Sequence, residues 1–196
     1  MSTAAQTVTQ GESHTTGTRS LGWYGMVFFL ASEAVFFANL IASYLYLRVR
    51  AGDAWPHVEV DQTLALVNTI ILVSSSFPMH FGARAIARGN KRGLTIGLGL
   101  TFLLGATFIG IQVFEYATNA FGPSSNIYGS AFYTLTGFHG AHVTAGLLFI
   151  AVCFFRSTRG HFSKDHHFAV TAAEMYWHFV DAVWILLVTL LYFVVH

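Results

Sequence analysis

The sequence predicts an all-α membrane protein, a bundle of five transmembrane helices, from its composition, the length of its apolar segments and the placement of its charges. Of the 196 residues, 54% are hydrophobic and only 10% are charged, against about 25% charged residues in an ordinary soluble domain. Apolar stretches long enough for one crossing, about 20 residues, recur along the chain. The predicted spans are residues 22–47, 64–87, 93–116, 129–155 and 172–195.

The first 20 residues are predicted to form a flexible polar tail, because they are rich in Ser, Thr, Gln and Gly and contain no apolar run. The apolar block that follows, residues 21–47, is longer than the apolar core of a signal peptide, about 7–15 residues. We therefore interpret it as a retained membrane helix. Residues 21–196 are expected to form a single five-helix domain.

Short polar links separate the spans, and the links at residues 48–61 and 117–128 contain turn-forming residues. Pro78 lies inside the second span and predicts a kink, because proline removes a backbone hydrogen bond and clashes with the preceding turn. The third span carries several glycines between residues 93 and 110, which predict close contacts with other helices.

Lys and Arg are distributed unequally between the two ends of the predicted bundle. The end that holds the N-terminus carries Arg19, Arg84, Arg88, Lys91, Arg92, Arg156, Arg159 and Lys164, and the other end carries Arg48 and Arg50. By the positive-inside rule, the N-terminus faces the cytoplasm and the C-terminus the outer side. The net charge of +1, without a basic tract, gives no electrostatic support for nucleic-acid binding.

Ionisable side chains at membrane depth are the most informative feature of the chain. Glu174, His178 and Asp181 follow one another at spacings of four and three in the fifth span, so they share one helix face. A charged residue at the centre of a membrane helix costs about 2.5–3.5 kcal/mol on insertion scales. This face is therefore expected to meet a polar partner inside protein.

The other four spans also carry such groups, among them His80 in the second and Glu115 at the end of the third. Glu33 lies about 17 Å into the first span, near the bilayer centre. His139 and His142 share a face of the fourth span, where neighbouring glycines allow another helix to approach.

Three interpretations of these residues remain open from the spacing alone: an interhelical hydrogen-bond network, a proton or ion pathway, and a metal site. Glu-x-x-His pairs on two helices, which typify dimetal bundles, are not found. A symmetric pair of broken helices, which typifies transporters, is also missing. A role as one subunit of a larger complex is the simplest alternative.

Four segments follow one another in the chain: residues 32–37 (SEAVFF), 136–143 (TGFHGAHV), 166–168 (HHF) and 176–184 (YWHFVDAVW). In this order they resemble the signature segments of subunit III of the haem-copper cytochrome oxidases, in its shorter, five-helix form. The resemblance extends from about residue 22 to the end of the chain.

The resemblance implies that Glu33 is the membrane-embedded carboxylate that reacts with a hydrophobic carbodiimide in members of this family. It implies no catalytic residue, haem, copper or other metal ligand in this chain, since haems and copper belong to subunits I and II. It also implies binding to subunit I, bound phospholipid, and support of proton uptake through subunit I. Arg156 and His161 match positions that approach lipid head groups.

We expect the buried polar, proton-uptake-related set to comprise Glu33, His139, His142, Glu174, His178 and Asp181. The three residues of the fifth span are expected to form an interhelical polar clasp with His139 and His142 of the fourth.

The function implied is that of a non-catalytic subunit of a proton-pumping cytochrome c oxidase, which reduces oxygen to water in the aerobic respiratory chain of a prokaryotic plasma membrane. Cytochrome c would react with the complex and not with this chain, and a respiratory supercomplex is compatible with the assignment. The alternatives are subunit III of a quinol oxidase, a free-standing proton or ion transporter, and a membrane dimetal enzyme.

Overall fold

The computed structural model describes residues 21–56, 58 and 60–194, and these residues form five long helices with no strand among them. The helices are α1 (Leu21–Ala51), α2 (Gln62–Ala87), α3 (Lys91–Thr118), α4 (Ile127–Thr158) and α5 (Phe168–Val188). A 3₁₀ turn, Gly52–Ala54, follows α1, and a π-helical segment, Thr189–Val194, extends α5.

The all-α membrane architecture is confirmed, because all five helices are long and apolar enough to cross a membrane. The predicted polar tail lies outside the described residues. The assignment of the termini to the two sides of the membrane, and the single-domain organisation, stay predictions.

Side chains of the links fix where three helices begin. Asp61, Asn90 and Asn126 precede α2, α3 and α4, and each accepts a hydrogen bond from the backbone N–H three residues later, at 2.9, 2.9 and 2.7 Å. Such N-caps satisfy backbone donors that have no partner within the helix.

Helices α2 and α3 form an antiparallel pair with a very close approach at Gly97. A Cβ atom at Gly97 would lie 2.5 Å from the carbonyl oxygen of Pro78 and 2.7 Å from Cα of Gly82. The predicted glycine-mediated contact is therefore confirmed at this position. Helix α2 continues through Pro78, and the kink there stays a prediction.

Helix α5 lies at the centre of the bundle and packs against α1, α2 and α4. Its two tryptophans, Trp177 and Trp184, are almost completely buried. Helix α1 is peripheral, and its buried side chains are Phe37 and Tyr44. Large apolar side chains such as Phe28 and Phe77 are exposed on the outer surface, as expected where helices face lipid or other subunits.

Candidate functional site

The polar face of α5 meets α2. Ser76 on α2 donates a short hydrogen bond from its hydroxyl to Oδ2 of Asp181 and also contacts Nδ1 of His178 at 2.9 Å. One turn further along α2, Nδ1 of His80 lies 2.6 Å from Oε1 of Glu174. All three ionisable residues of this face therefore have polar partners on α2.

The two buried tryptophans of α5 add further contacts to this interface between α2 and α5, which we call the α2–α5 seam. Nε1 of Trp177 donates to the hydroxyl of Ser75 at 2.8 Å, and Nε1 of Trp184 donates to the hydroxyl of Thr69 at 3.0 Å. Buried indole N–H groups need such partners, because an unpaired polar group is costly in an apolar interior. The α2–α5 seam is thus a row of antiparallel polar contacts, from Thr69 to His80 along α2.

The expected clasp between the fourth and fifth spans is wrong. His139 is completely buried and stacks on the ring of Trp184, with centroids 4.9 Å apart. Neither of its ring nitrogens has a hydrogen-bond partner among the described residues. The spacing of residues identifies a shared helix face, but it does not identify which neighbouring helix that face contacts.

The other histidine of α4 is directed towards α1. Nε2 of His142 lies 2.9 Å from Oε2 of Glu33, and Nδ1 lies 2.7 Å from the carbonyl oxygen of Phe138. Tyr176 of α5 donates its hydroxyl to the backbone oxygen of His142 at 3.1 Å. The Glu33–His142 pair therefore joins α1 to the bundle.

The hydrogen-bond partners indicate which atoms of the pair donate. Because a carbonyl oxygen only accepts, Nδ1 of His142 carries a hydrogen and donates to Phe138. The contact between Nε2 and Glu33 then needs a second hydrogen, either on Nε2, facing a carboxylate, or on Glu33, facing a bare Nε2. One hydrogen atom therefore lies between the two side chains, on Nε2 of His142 or on the carboxyl group of Glu33.

The six expected residues differ in burial. His139 and Asp181 are buried, whereas Glu33, His142 and Glu174 are half-buried. The expectation of burial is wrong for His178, whose side chain is 43% exposed. The reason is that the seam between α2 and α5 opens to the outer surface of the bundle on the side of His178 and His80.

Sequence reasoning missed several partners in these contacts. The hydroxyls of Thr69, Ser75 and Ser76 were not singled out as partners, although a run of three serines inside an apolar span was a usable signal. Tyr192 was also missed as a partner: its hydroxyl donates to Oε1 of the buried Glu115 at 2.7 Å. Only the fold brings the π-helical end of α5 to the end of α3.

The two residues matched to lipid-contacting positions lie together at the end of α4. Arg156 and His161 are both exposed, and the guanidinium of Arg156 lies 5.0 Å from the ring centroid of Phe162. The backbone N–H of His161 donates to the carbonyl of Arg156 at 3.1 Å. The arrangement leaves a cationic side chain facing outward at the helix end.

Comparison with known proteins agrees with the motifs. The sequence profile of the family described as "Cytochrome c oxidase subunit III" matches residues 3–195. A protein of Synechocystis sp. named cytochrome c oxidase subunit 3 is 45% identical over 191 residues, covering 95% of this chain and 82% of that protein. The protein of that name from Thermostichus vulcanus is 44% identical over 171 residues, covering 86% and 85%.

A more distant relative of the same name, from Loxodonta africana, is 37% identical over 177 residues, covering 86% of this chain and 68% of that protein. The resemblance found in the four motifs is therefore confirmed over nearly the whole chain. The chain belongs to the family of cytochrome c oxidase subunit III, a subunit of the haem-copper terminal oxidases.

Proposed function

We propose that this chain is a non-catalytic subunit III of a proton-pumping cytochrome c oxidase in a prokaryotic plasma membrane. The observation that carries the proposal is the family match over residues 3–195, together with relatives that bear this name. The complex reduces oxygen to water and translocates protons in an aerobic respiratory chain. Cytochrome c reacts with the complex and not with this chain.

The proposal assigns the redox centres to subunits I and II, and the contacts of the two histidines of α4 agree with this assignment. His139 stacks on Trp184 inside the bundle, and His142 is held between Glu33 and the carbonyl of Phe138. Both rings are engaged in packing or hydrogen bonding within the chain. An axial haem ligand would need a ring nitrogen directed into an open cavity.

Sustained proton uptake is assigned to the Glu33–His142 pair. Glu33 lies on the peripheral helix, and the side chains of Glu33 and His142 are 22% and 18% exposed. A pair that holds one transferable proton at this depth can exchange it with groups of an adjoining subunit. The polar contacts of the α2–α5 seam serve mainly to hold the two helices together.

Phospholipid binding is assigned to Arg156 and His161. Both side chains are exposed at the C-terminal end of α4, on the end of the bundle rich in Lys and Arg. The end of a membrane-spanning helix lies at head-group depth, where a guanidinium pairs well with a phosphate. With the N-terminus in the cytoplasm, these head groups belong to the cytoplasmic leaflet. Subunit I is expected to cover part of the exposed apolar surface, and so to be stabilised by this chain.

The proposal is tested by purifying the chain with an affinity tag in a mild detergent. Two larger subunits and a haem spectrum are expected to co-purify, and the complex is expected to oxidise reduced cytochrome c. Oxidation of a quinol in place of cytochrome c would shift the assignment to a quinol oxidase. Recovery of the chain alone, without haem-bearing partners, would reject the proposal in favour of a free-standing transporter.

A further inference from the structure

We propose that His80, Glu174 and His178 form a binding site for a divalent transition-metal ion, with zinc as the best-fitting ion. His80 lies on α2 and the other two residues lie on α5. The inference rests on the geometry of these three side chains and does not depend on the proposed function.

The first support is convergence of ligand atoms. Each residue offers one atom, and the three atoms lie within 4.8 Å of one another. Nδ1 of His80 is 2.6 Å from Oε1 of Glu174, and Nε2 of His178 is 3.8 Å from the same oxygen. Three side chains from two helices therefore surround a small common volume.

The separations are close to those of a filled site. Nitrogen and oxygen ligands bind zinc at about 2.0–2.1 Å, so two ligands in a tetrahedral arrangement lie about 3.3 Å apart. The contact between His80 and Glu174 would lengthen by about 0.7 Å and the one between His178 and Glu174 would shorten by about 0.5 Å. Both changes are smaller than about 1 Å.

The second support is the hydrogen bond that orients His178. The hydroxyl of Ser76 holds Nδ1 of His178 at 2.9 Å, which leaves Nε2 directed towards Glu174. Ser76 is itself bonded to Asp181. A ligand histidine usually has its second nitrogen held in this way, and such outer partners strengthen metal binding.

The chemistry of the ligands selects the ion. Two imidazoles and one carboxylate make a borderline nitrogen and oxygen set that suits zinc, and three protein ligands leave a fourth position open. The hard ions magnesium and calcium prefer sites built from oxygen alone. The open position can take water or a side chain of a neighbouring subunit.

Access and charge are compatible with binding. The side chains of His80 and His178 are 46% and 43% exposed, so the five-helix bundle leaves the site open on one side. Arg84 and Arg88 line the same surface pocket as His80 and oppose a cation. The carboxylate of Glu174, one of the three ligands, offsets part of this charge. A bound ion would replace the direct contact between His80 and Glu174 and tie α2 to α5.

The test uses the assembled oxidase, washed with chelator, dialysed against zinc chloride and analysed for metal by mass spectrometry. His80→Ala and Glu174→Gln are each expected to lower the bound zinc by one ion per complex. Ser76→Ala is expected to weaken this binding about 10- to 100-fold, since it frees the His178 ring. His166→Ala is the matched control, because His166 is an exposed histidine of the α4–α5 link.

A measurement on the wild-type complex covers the case in which a variant does not assemble. Diethylpyrocarbonate modifies accessible imidazoles, and zinc is expected to protect His80 and His178 but not His166. Equal zinc content in the wild type, His80→Ala and Glu174→Gln would overturn the proposal. So would zinc that leaves the modification of His80 and His178 unchanged.

Discussion

A single methyl group added at Gly97 is expected to push α2 and α3 apart. The Cβ of Gly97→Ala would lie 2.5 Å from the carbonyl oxygen of Pro78 and 2.7 Å from Cα of Gly82. Both contacts are with backbone, so no side chain can rotate aside to make room. For the distance from the added Cβ to the carbonyl oxygen of Pro78 to reach an ordinary contact of about 3.4 Å, the two helices must separate locally by about 0.9 Å.

The magnitude follows from two opposing effects. Overpacking costs about 1–3 kcal/mol, and a backbone clash belongs at the upper end of that range. Replacing glycine by alanine in a helix interior stabilises the helix by up to about 1 kcal/mol, because alanine has the higher helix propensity. The net destabilisation is about 2 kcal/mol, which lowers the melting temperature of a domain of this size by about 4–8 °C.

The assay is thermal retention of the chain in the oxidase, measured by heating the detergent-solubilised complex, removing aggregates and quantifying the tagged chain. Gly110→Ala is the matched control on the same helix, because a Cβ there has no described atom within 4 Å. Gly110→Ala is expected to match or slightly exceed the wild type. Equal retention temperatures for Gly97→Ala and Gly110→Ala would refute the reasoning about the α2–α3 contact.

Three other substitutions test the polar contacts. Glu33→Gln keeps the size of the side chain but removes the carboxyl that shares a proton with His142. Sustained proton pumping should therefore fall while the haem spectrum stays intact. Unchanged pumping would contradict the role proposed for Glu33. Asp181→Asn alters the bond with Ser76 and should reduce assembly or sustained pumping without loss of a redox centre from assembled complex, as subunit analysis and a visible spectrum would reveal. Tyr192→Phe leaves the buried Glu115 without its hydroxyl donor and should cost about 1–3 kcal/mol of stability, measured as a lower retention temperature; wild-type retention would contradict it.

The five helices could be predicted from sequence because each crossing needs about 20 apolar residues, a local property of the chain. The predicted third span, residues 93–116, lies within α3, Lys91–Thr118. The end of the fifth helix was less predictable. Its regular α-helix stops at Val188 and a π-helical segment follows, a change that apolar composition does not encode.

The sequence predicted which residues of the candidate site share a helix face, but not which residues they contact. The shared face of Glu174, His178 and Asp181 follows from helical periodicity, and the need for polar partners follows from the cost of an ionisable group in lipid. Periodicity also placed His139 and His142 on one face of α4. In the structure, however, these two rings have different neighbours: His139 stacks on Trp184, and His142 contacts Glu33.

The sequence by itself therefore determined the helices, their polar faces and, through four motifs, the family. The tertiary structure decided which faces meet: α5 turns its polar face to Ser76 and His80 of α2, and α4 turns His142 to Glu33 of α1. The physical reason is that helix periodicity depends on residues three or four positions apart, whereas pairing depends on packing between helices distant in sequence. Glycines such as Gly97 contribute to that packing by allowing two backbones to approach closely.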